Sequence, residues 1–263
     1  MYDFAYQKPA SLADAVKALG AEDAKALAGG QTLIPVLKQR LNKPSVVVDL
    51  SRLGLSGISL TGETVTIGAM TTHATVANSA DVKRAIPALA HLASLIGDEQ
   101  VRHRGTIGGS LANNDPSADY PAAVLALGAT IKTDRRTIAA DDYFQGMFAT
   151  ALEPNEVITS VTFPIPAKAA YMKFNNPASR YAMVGVFVAK GPQGVRVAIT
   201  GAGQGGVFRH AAYEAALAAN WSADALNGIT TPTDGLNSDI HASAEYRAHL
   251  IGVMAKRATA AAG

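Results

Sequence analysis

The sequence predicts an α+β protein, on three observations. Strand and helix signals interleave from Ser11 to Ile67. A clean strand over Glu156–Phe163 is closed by Pro164 and Pro166, which marks a domain boundary. Beyond it the texture changes to long strands and alanine-rich helices, an order that suits a sheet with helices on one face. Hydrophobic residues make up 48% and charged residues 17% of the 263, so a packed core is expected rather than disorder. The division reads as 1–166 and 167–263.

Each element has a local reason. Ser11 can cap a helix that holds Asp14 in its first turn and ends at Gly20. Lys25–Leu27 is a short strand leading into a glycine turn. Leu33–Leu41 is a helix, stopped before Pro44. Val46–Leu50 is β-branched and apolar, so a buried strand. Ile58–Leu60 and Thr64–Ile67 alternate around Thr61-Gly62-Glu63, a hairpin. Thr71-Thr72 can cap a helix entered at His73. A second helix spans Asp81–Ile96, with Pro87 as a break point. Pro121 opens a helix ended by Gly128. Ala129–Thr133 and Thr137-Ile138 are strands around Asp134-Arg135. Met183–Ala189 and Val195–Thr200 form a hairpin across Gly191–Gly194. Ala211–Ala219 and His241–Ala261 are helices.

The bulk numbers exclude several classes. A formal charge of +2 is too small to argue for nucleic acid, and no basic run marks a membrane-surface patch. No apolar stretch reaches transmembrane length. The opening Met1-Tyr2-Asp3-Phe4 lacks a signal-peptide layout, so a cytoplasmic location is expected. There is no cysteine, hence no cysteine-ligated iron–sulfur cluster, Cys-type zinc site or disulfide on this chain.

Two glycine segments stand out. Leu27-Ala28-Gly29-Gly30-Gln31-Thr32-Leu33-Ile34-Pro35 reads as strand, turn and helix, with Thr32 near the helix start. Thr106-Ile107-Gly108-Gly109-Ser110 is followed by Asn114, Asp115 and Asp119. Paired glycines permit φ > 0 and close approach, and their N–H groups can cradle phosphate oxygens. Two such segments suggest one ligand with two phosphates held from both sides. Arg102-His103-Arg104, just before the second segment, face either a pyrophosphate or solvent.

Other candidates are weaker. Gly201–Gly206 spells G-x-G-x-x-G after a strand, but no strand precedes Asp224, so a strand-to-helix turn is favoured over a dinucleotide site. The six histidines lack metal-helix spacing. No nucleophile elbow is present. Asp115 and Asp119 fit helix capping and ligand hydrogen bonding better than a catalytic pair.

The two glycine segments, with Asp115-Pro116 and Asp119, resemble the flavin-binding loops of the FAD-binding subunits of molybdenum hydroxylases, the xanthine dehydrogenase and carbon monoxide dehydrogenase type. The likeness runs from Phe4-Ala5-Tyr6 to Ala242–Arg247 and looks closest to the separate medium subunit of the carbon monoxide dehydrogenase type. It implies a p-cresol methylhydroxylase-type FAD domain of two α/β lobes with the FAD between them, and a small C-terminal flavoprotein domain. By resemblance, Leu27, Ala28, Gly29, Gly30, Gln31, Thr32, Leu33 and Ile34 form one FAD-binding loop. Thr106, Ile107, Gly108, Gly109, Ser110, Asn114 and Asp115 form the other. Ile96 and Ile158 become apolar ring contacts, Asp119 a flavin contact, Lys173 a cation near the isoalloxazine and Tyr181 its aromatic cover.

This chain departs from the pattern. Relatives often have Ser or His at Thr32, Asn at Ser110, His at Asn114, and arginines at Asn176 and Pro177. The resemblance further implies a small partner with two [2Fe–2S] clusters and a large partner with a molybdenum cofactor, in a dimer of heterotrimers. Electrons would pass to FAD and then to a quinone, NAD or dioxygen, in the cytoplasm or at the inner face of the membrane. A self-contained FAD oxidase or reductase and a non-enzymatic nucleotide-binding module are the alternatives.

Overall fold

The computed structural model describes residues 1–263. Its first lobe is a three-stranded parallel sheet with Val46–Asp49 between Ala5–Gln7 and Lys25–Leu27. The central strand is buried throughout, which accounts for its unbroken apolar run. Helices Leu12–Leu19 and Leu33–Lys38 connect the strands. Ser11 caps the first, accepting from the Asp14 N–H, and donates its own proton to the Asp14 carboxylate at 2.7 Å. The second ends short of the expected Leu41, because Arg40 turns left-handed at φ 59°.

The second lobe is an antiparallel five-stranded sheet. Its order is Ile58–Thr61, Thr64–Gly68, Ile158–Pro164, Thr130–Thr133, Thr137–Ala139. The returning strand Ile158–Pro164 lies in the middle, pairing with the hairpin on one side and Thr130–Thr133 on the other. It starts later than expected because Glu156 is held by Arg136 and Thr133. The helix expected over Asp81–Ile96 is two helices, Ala80–Ala85 and Pro87–Ser94. Proline cannot donate to the preceding turn, and Ile86 before it leaves the helical region. With Ile107–Asn113 and Tyr120–Ala126 these helices share the largest apolar core.

The C-terminal part is an antiparallel sheet in the order Lys168–Asn175, Ala182–Gly191, Gly194–Thr200, Phe208–Arg209. Ala211–Ala219 and Ala244–Ala261 pack on it around a second core. The strand Lys168–Asn175 has no counterpart in the sequence reading, because its burial does not alternate and leaves no period of two. The last helix begins at Ala244, not His241, where Ser243 accepts from the Tyr246 N–H. The G-x-G-x-x-G segment joins Gly194–Thr200 to Phe208–Arg209, antiparallel neighbours with no intervening helix. The dinucleotide fingerprint is therefore excluded. At its first glycine, φ 83° aims the Gly201 N–H at the Pro116 carbonyl. Thr200 donates to Pro116 and Ala118, so the C-terminal sheet grips the segment entering the helix Tyr120–Ala126. No helix is long and apolar enough to cross a membrane.

Candidate functional site

A cleft of about 590 Å³ lies where the two lobes and the C-terminal sheet meet, and both glycine segments line it. They abut directly. A Cβ on Gly29 would stand 2.0 Å from the Arg104 carbonyl oxygen, and one on Gly109 would stand 3.5 Å from the Ala28 Cβ. The juxtaposition expected from sequence is thus present, but the two segments differ in what they offer.

The first is an open donor run. The five N–H groups from Ala28 to Thr32 find no acceptor in the chain. Only Gly30 of the four glycines has positive φ, 75°. Its missing side chain would meet Ile34 Cδ1 at 2.6 Å and Leu27 Cδ1 at 3.3 Å. Leu27 and Ile34 therefore support the turn from beneath, outside the cleft lining. The second segment is helical: Thr106 caps Ile107–Asn113. Its donors are already used, Gly108 N–H on Ala69 O, Gly109 N–H on Thr106 Oγ1 and Ser110 N–H on Thr106 O. Here the glycines serve close packing, since a Cβ on Gly108 would lie 2.6 Å from the Ala69 Cβ. The expectation of two equivalent N–H cradles is corrected to one donor run and one wall.

Ala28, Gly29, Gly30, Gln31, Thr32, Leu33, Ile96, Thr106, Gly108, Gly109, Ser110, Asp115, Asp119, Ile158 and Tyr181 all line the cleft. Ile107 is instead fully buried in the core. Asn114, left-handed at φ 43°, turns its amide to the Gly146 and Ala149 carbonyls, both at 2.8 Å, away from the cleft. Lys173 is not itself part of the cleft lining. Its Nζ lies 3.0 Å from Asp119 and 3.1 Å from Leu95 O, and the side chain is only 3% exposed. Tyr171 donates to the same carboxylate at 2.6 Å. Burial pushes the Asp119 carboxyl up, and Lys173 and Tyr171 oppose it.

Of the three residues before the second glycine segment, His103 and Arg104 are exposed to solvent, Arg102 is half-buried, and none lines the cleft. Arg102 donates to the Ile96 and Gly97 carbonyls, and His103 meets Glu99 O at 2.8 Å. Gly97 and His73 are among the cleft residues that the sequence reading missed. Gly97 sits at φ 51°, and its only sequence signal is the end of a helix. His73 is 5% exposed and lies 5.3 Å, centroid to centroid, from Tyr120. Its Nδ1 has no partner, and burial, helped by Arg102, lowers its pKa to about 4. No cluster of metal ligands is present.

Residues 2–166 match the family described as "FAD binding domain in molybdopterin dehydrogenase". The chain belongs to this family. It is 38% identical to the nicotine 6-hydroxylase medium subunit of Paenarthrobacter nicotinovorans, over 98% of this chain and 96% of that one. It is 36% identical to the carbon monoxide dehydrogenase medium chain of Hydrogenophaga pseudoflava, again over 98% and 96%. Among solved structures, reconstituted CO dehydrogenase from Oligotropha carboxidovorans superposes with a TM-score of 0.90 at 36% identity, covering 99% of this chain and 97% of that one. The fold is therefore that of the molybdenum hydroxylase flavoprotein subunits. For a member of this FAD-binding family the cleft fits the cofactor. It supplies unpaired N–H donors suited to a diphosphate, walls too close for any Cβ, and apolar Ile96 and Ile158.

Two outcomes follow from this geometry. Lys173→Met leaves the Asp119 charge buried without its cation and is expected to cost about 3–5 kcal/mol in denaturant unfolding. The D119N/K173M pair should recover most of that loss; equal stability of wild type and K173M would contradict the ion pair. His73 stays neutral when folded but charges when unfolded, so its contribution is complete above pH 6.5. It should decline as pH falls from 6.5 toward 4, by about 3 kcal/mol in all. The His73→Phe variant should show a flatter stability curve across that window, read by urea unfolding at each pH.

Proposed function

We propose that this chain is the FAD-binding electron-transfer subunit of a multi-subunit molybdenum hydroxylase, of the carbon monoxide dehydrogenase medium-subunit type. Family membership and the run of free N–H groups from Ala28 to Thr32 carry this reading. The donor run would hold the diphosphate of FAD, and the helix face Thr106–Ser110 would close against it. Residues 1–166 would form the FAD-binding domain and 167–263 the C-terminal flavoprotein domain; the family match over residues 2–166 supports that division.

Bound FAD supplies two-electron storage and one-electron exchange. This chain's part is binding, orientation and electrostatics. Ile96 and Ile158 offer apolar contact to the ring, and Tyr181, 51% exposed, covers the cleft from the C-terminal side. Lys173 acts on the site through Asp119 and Leu95, not as a free charge beside the ring. Asp115 keeps one oxygen on the Ser117 N–H, which fixes the loop beyond the second glycine pair.

With no cysteine in the chain, the iron–sulfur clusters must sit on another subunit. We infer a small partner with two [2Fe–2S] clusters and a large one with the molybdenum cofactor, assembled as a dimer of heterotrimers. Electrons would leave to a quinone, NAD or dioxygen. Relatives named for nicotine and for carbon monoxide are nearly equal in identity, so the substrate is set by the molybdenum subunit and not by this chain.

The test is flavin content. The wild-type chain should purify yellow with stoichiometric FAD; a colourless, folded protein that does not take up FAD would contradict the reading. Gly30→Val forces a β-branched residue to φ 75° against Ile34 and Leu27, which the turn cannot accommodate in place. FAD occupancy should fall at least about tenfold, a displacement worth ~1.4 kcal/mol or more of binding energy. Circular dichroism should stay near wild type.

A further inference from the structure

Three cations converge on three consecutive carbonyls at one edge of the cleft. Lys173 Nζ takes Leu95 O at 3.1 Å. Arg102 takes Ile96 O and Gly97 O, both at 3.0 Å. Arg180 reaches Gly97 O at 3.4 Å from the C-terminal domain. Arg102 makes no ion pair, so its side-chain hydrogen bonds are confined to these two carbonyls.

The consequence lies in the peptide between Ile96 and Gly97. In a trans peptide the C=O and N–H point in opposite directions. The Ile96 carbonyl faces Arg102, so the Gly97 N–H points away from it. That N–H has no acceptor in the chain, and Gly97 lines the cleft beside Ile96. The next amide, that of Asp98, is also unpaired, but Asp98 is exposed and outside the cleft lining.

We propose that Arg102 is a positioning residue that aims the Gly97 N–H into the cleft, where it donates to the edge of the isoalloxazine ring. This rests on the FAD reading above. A fixed donor at a ring edge stabilises the form that carries more negative charge, which is the reduced flavin. The left-handed φ of Gly97 suits this arrangement, since a side chain there would be strained and would meet Val101 at 2.9 Å.

The test uses the full FAD-loaded chain as wild type, Arg102→Met and Arg102→Lys. Labelling with carbonyl-13C isoleucine and 15N glycine selects four amides, those of Gly68, Gly97, Gly108 and Gly252. The Gly97 amide should exchange slowly in the loaded wild type, although no acceptor in the chain protects it. In Arg102→Met it should exchange at least about tenfold faster, with FAD retained through the Ala28–Thr32 run. The same variant should favour reduced over oxidised flavin about tenfold less, a fall near 30 mV in the two-electron midpoint. Arg102→Lys, which keeps a donor for the carbonyls, should recover part of both. Fast Gly97 exchange in loaded wild type, or an unchanged midpoint in Arg102→Met with full FAD, would overturn the inference and leave the FAD reading intact. Absence of FAD from the wild type would overturn the reading itself.

Discussion

The whole site depends on one steric constraint, the absence of room between Gly29 and the Arg104 carbonyl. A single methyl group there would lie 2.0 Å from an oxygen of the other lobe. The two lobes can therefore close on each other only through a residue without a side chain. Gly108 repeats the device within the second lobe, against Ala69. What results is a narrow cleft with one donor-rich wall and one packed wall, and that asymmetry directs how an anionic ligand lies.

The C-terminal sheet is part of this construction. Its strand Lys168–Asn175 sends Tyr171 and Lys173 to Asp119, and its strand Gly194–Thr200 sends Thr200 to the carbonyls just before it. Asp119 precedes the helix Tyr120–Ala126 without capping it, and its side-chain partners Tyr171 and Lys173 come from the C-terminal sheet. A buried ion pair of this kind adds little net stability when intact but is costly to break. It ties the position of the cleft wall to the C-terminal sheet. The carbonyl clamp on Leu95–Gly97 uses the same lysine, so one side chain of the sheet supports both features.

The sequence carried its local signals openly. Ser11 and Thr72 cap helices through neighbours three residues on, and such caps are legible without tertiary knowledge. The hairpin at Thr61–Thr64 and the break at Pro87 are equally local. Both glycine pairs were legible as places of close approach, but not their division of labour. That depends on which N–H groups find acceptors, and Ala69 O, which satisfies Gly108, is distant in sequence. That Lys173 is paired with Asp119 was not legible, because the two are 54 residues apart. Asn114 matched a motif position, yet its amide serves carbonyls 32 and 35 residues on. His73 and Gly97 had no side-chain pattern to mark them; only the folded cleft does.

The central claim is that the unpaired amides from Ala28 to Thr32 are the grip on the cofactor's diphosphate. Hydrogen exchange of the full chain, resolved to the peptide spanning Lys25–Leu33 and compared with and without added FAD, tests it most directly. These amides have no intramolecular acceptor, so they should exchange freely alone and become strongly protected with FAD bound. Unchanged exchange in that peptide, with FAD demonstrably bound, would contradict the account.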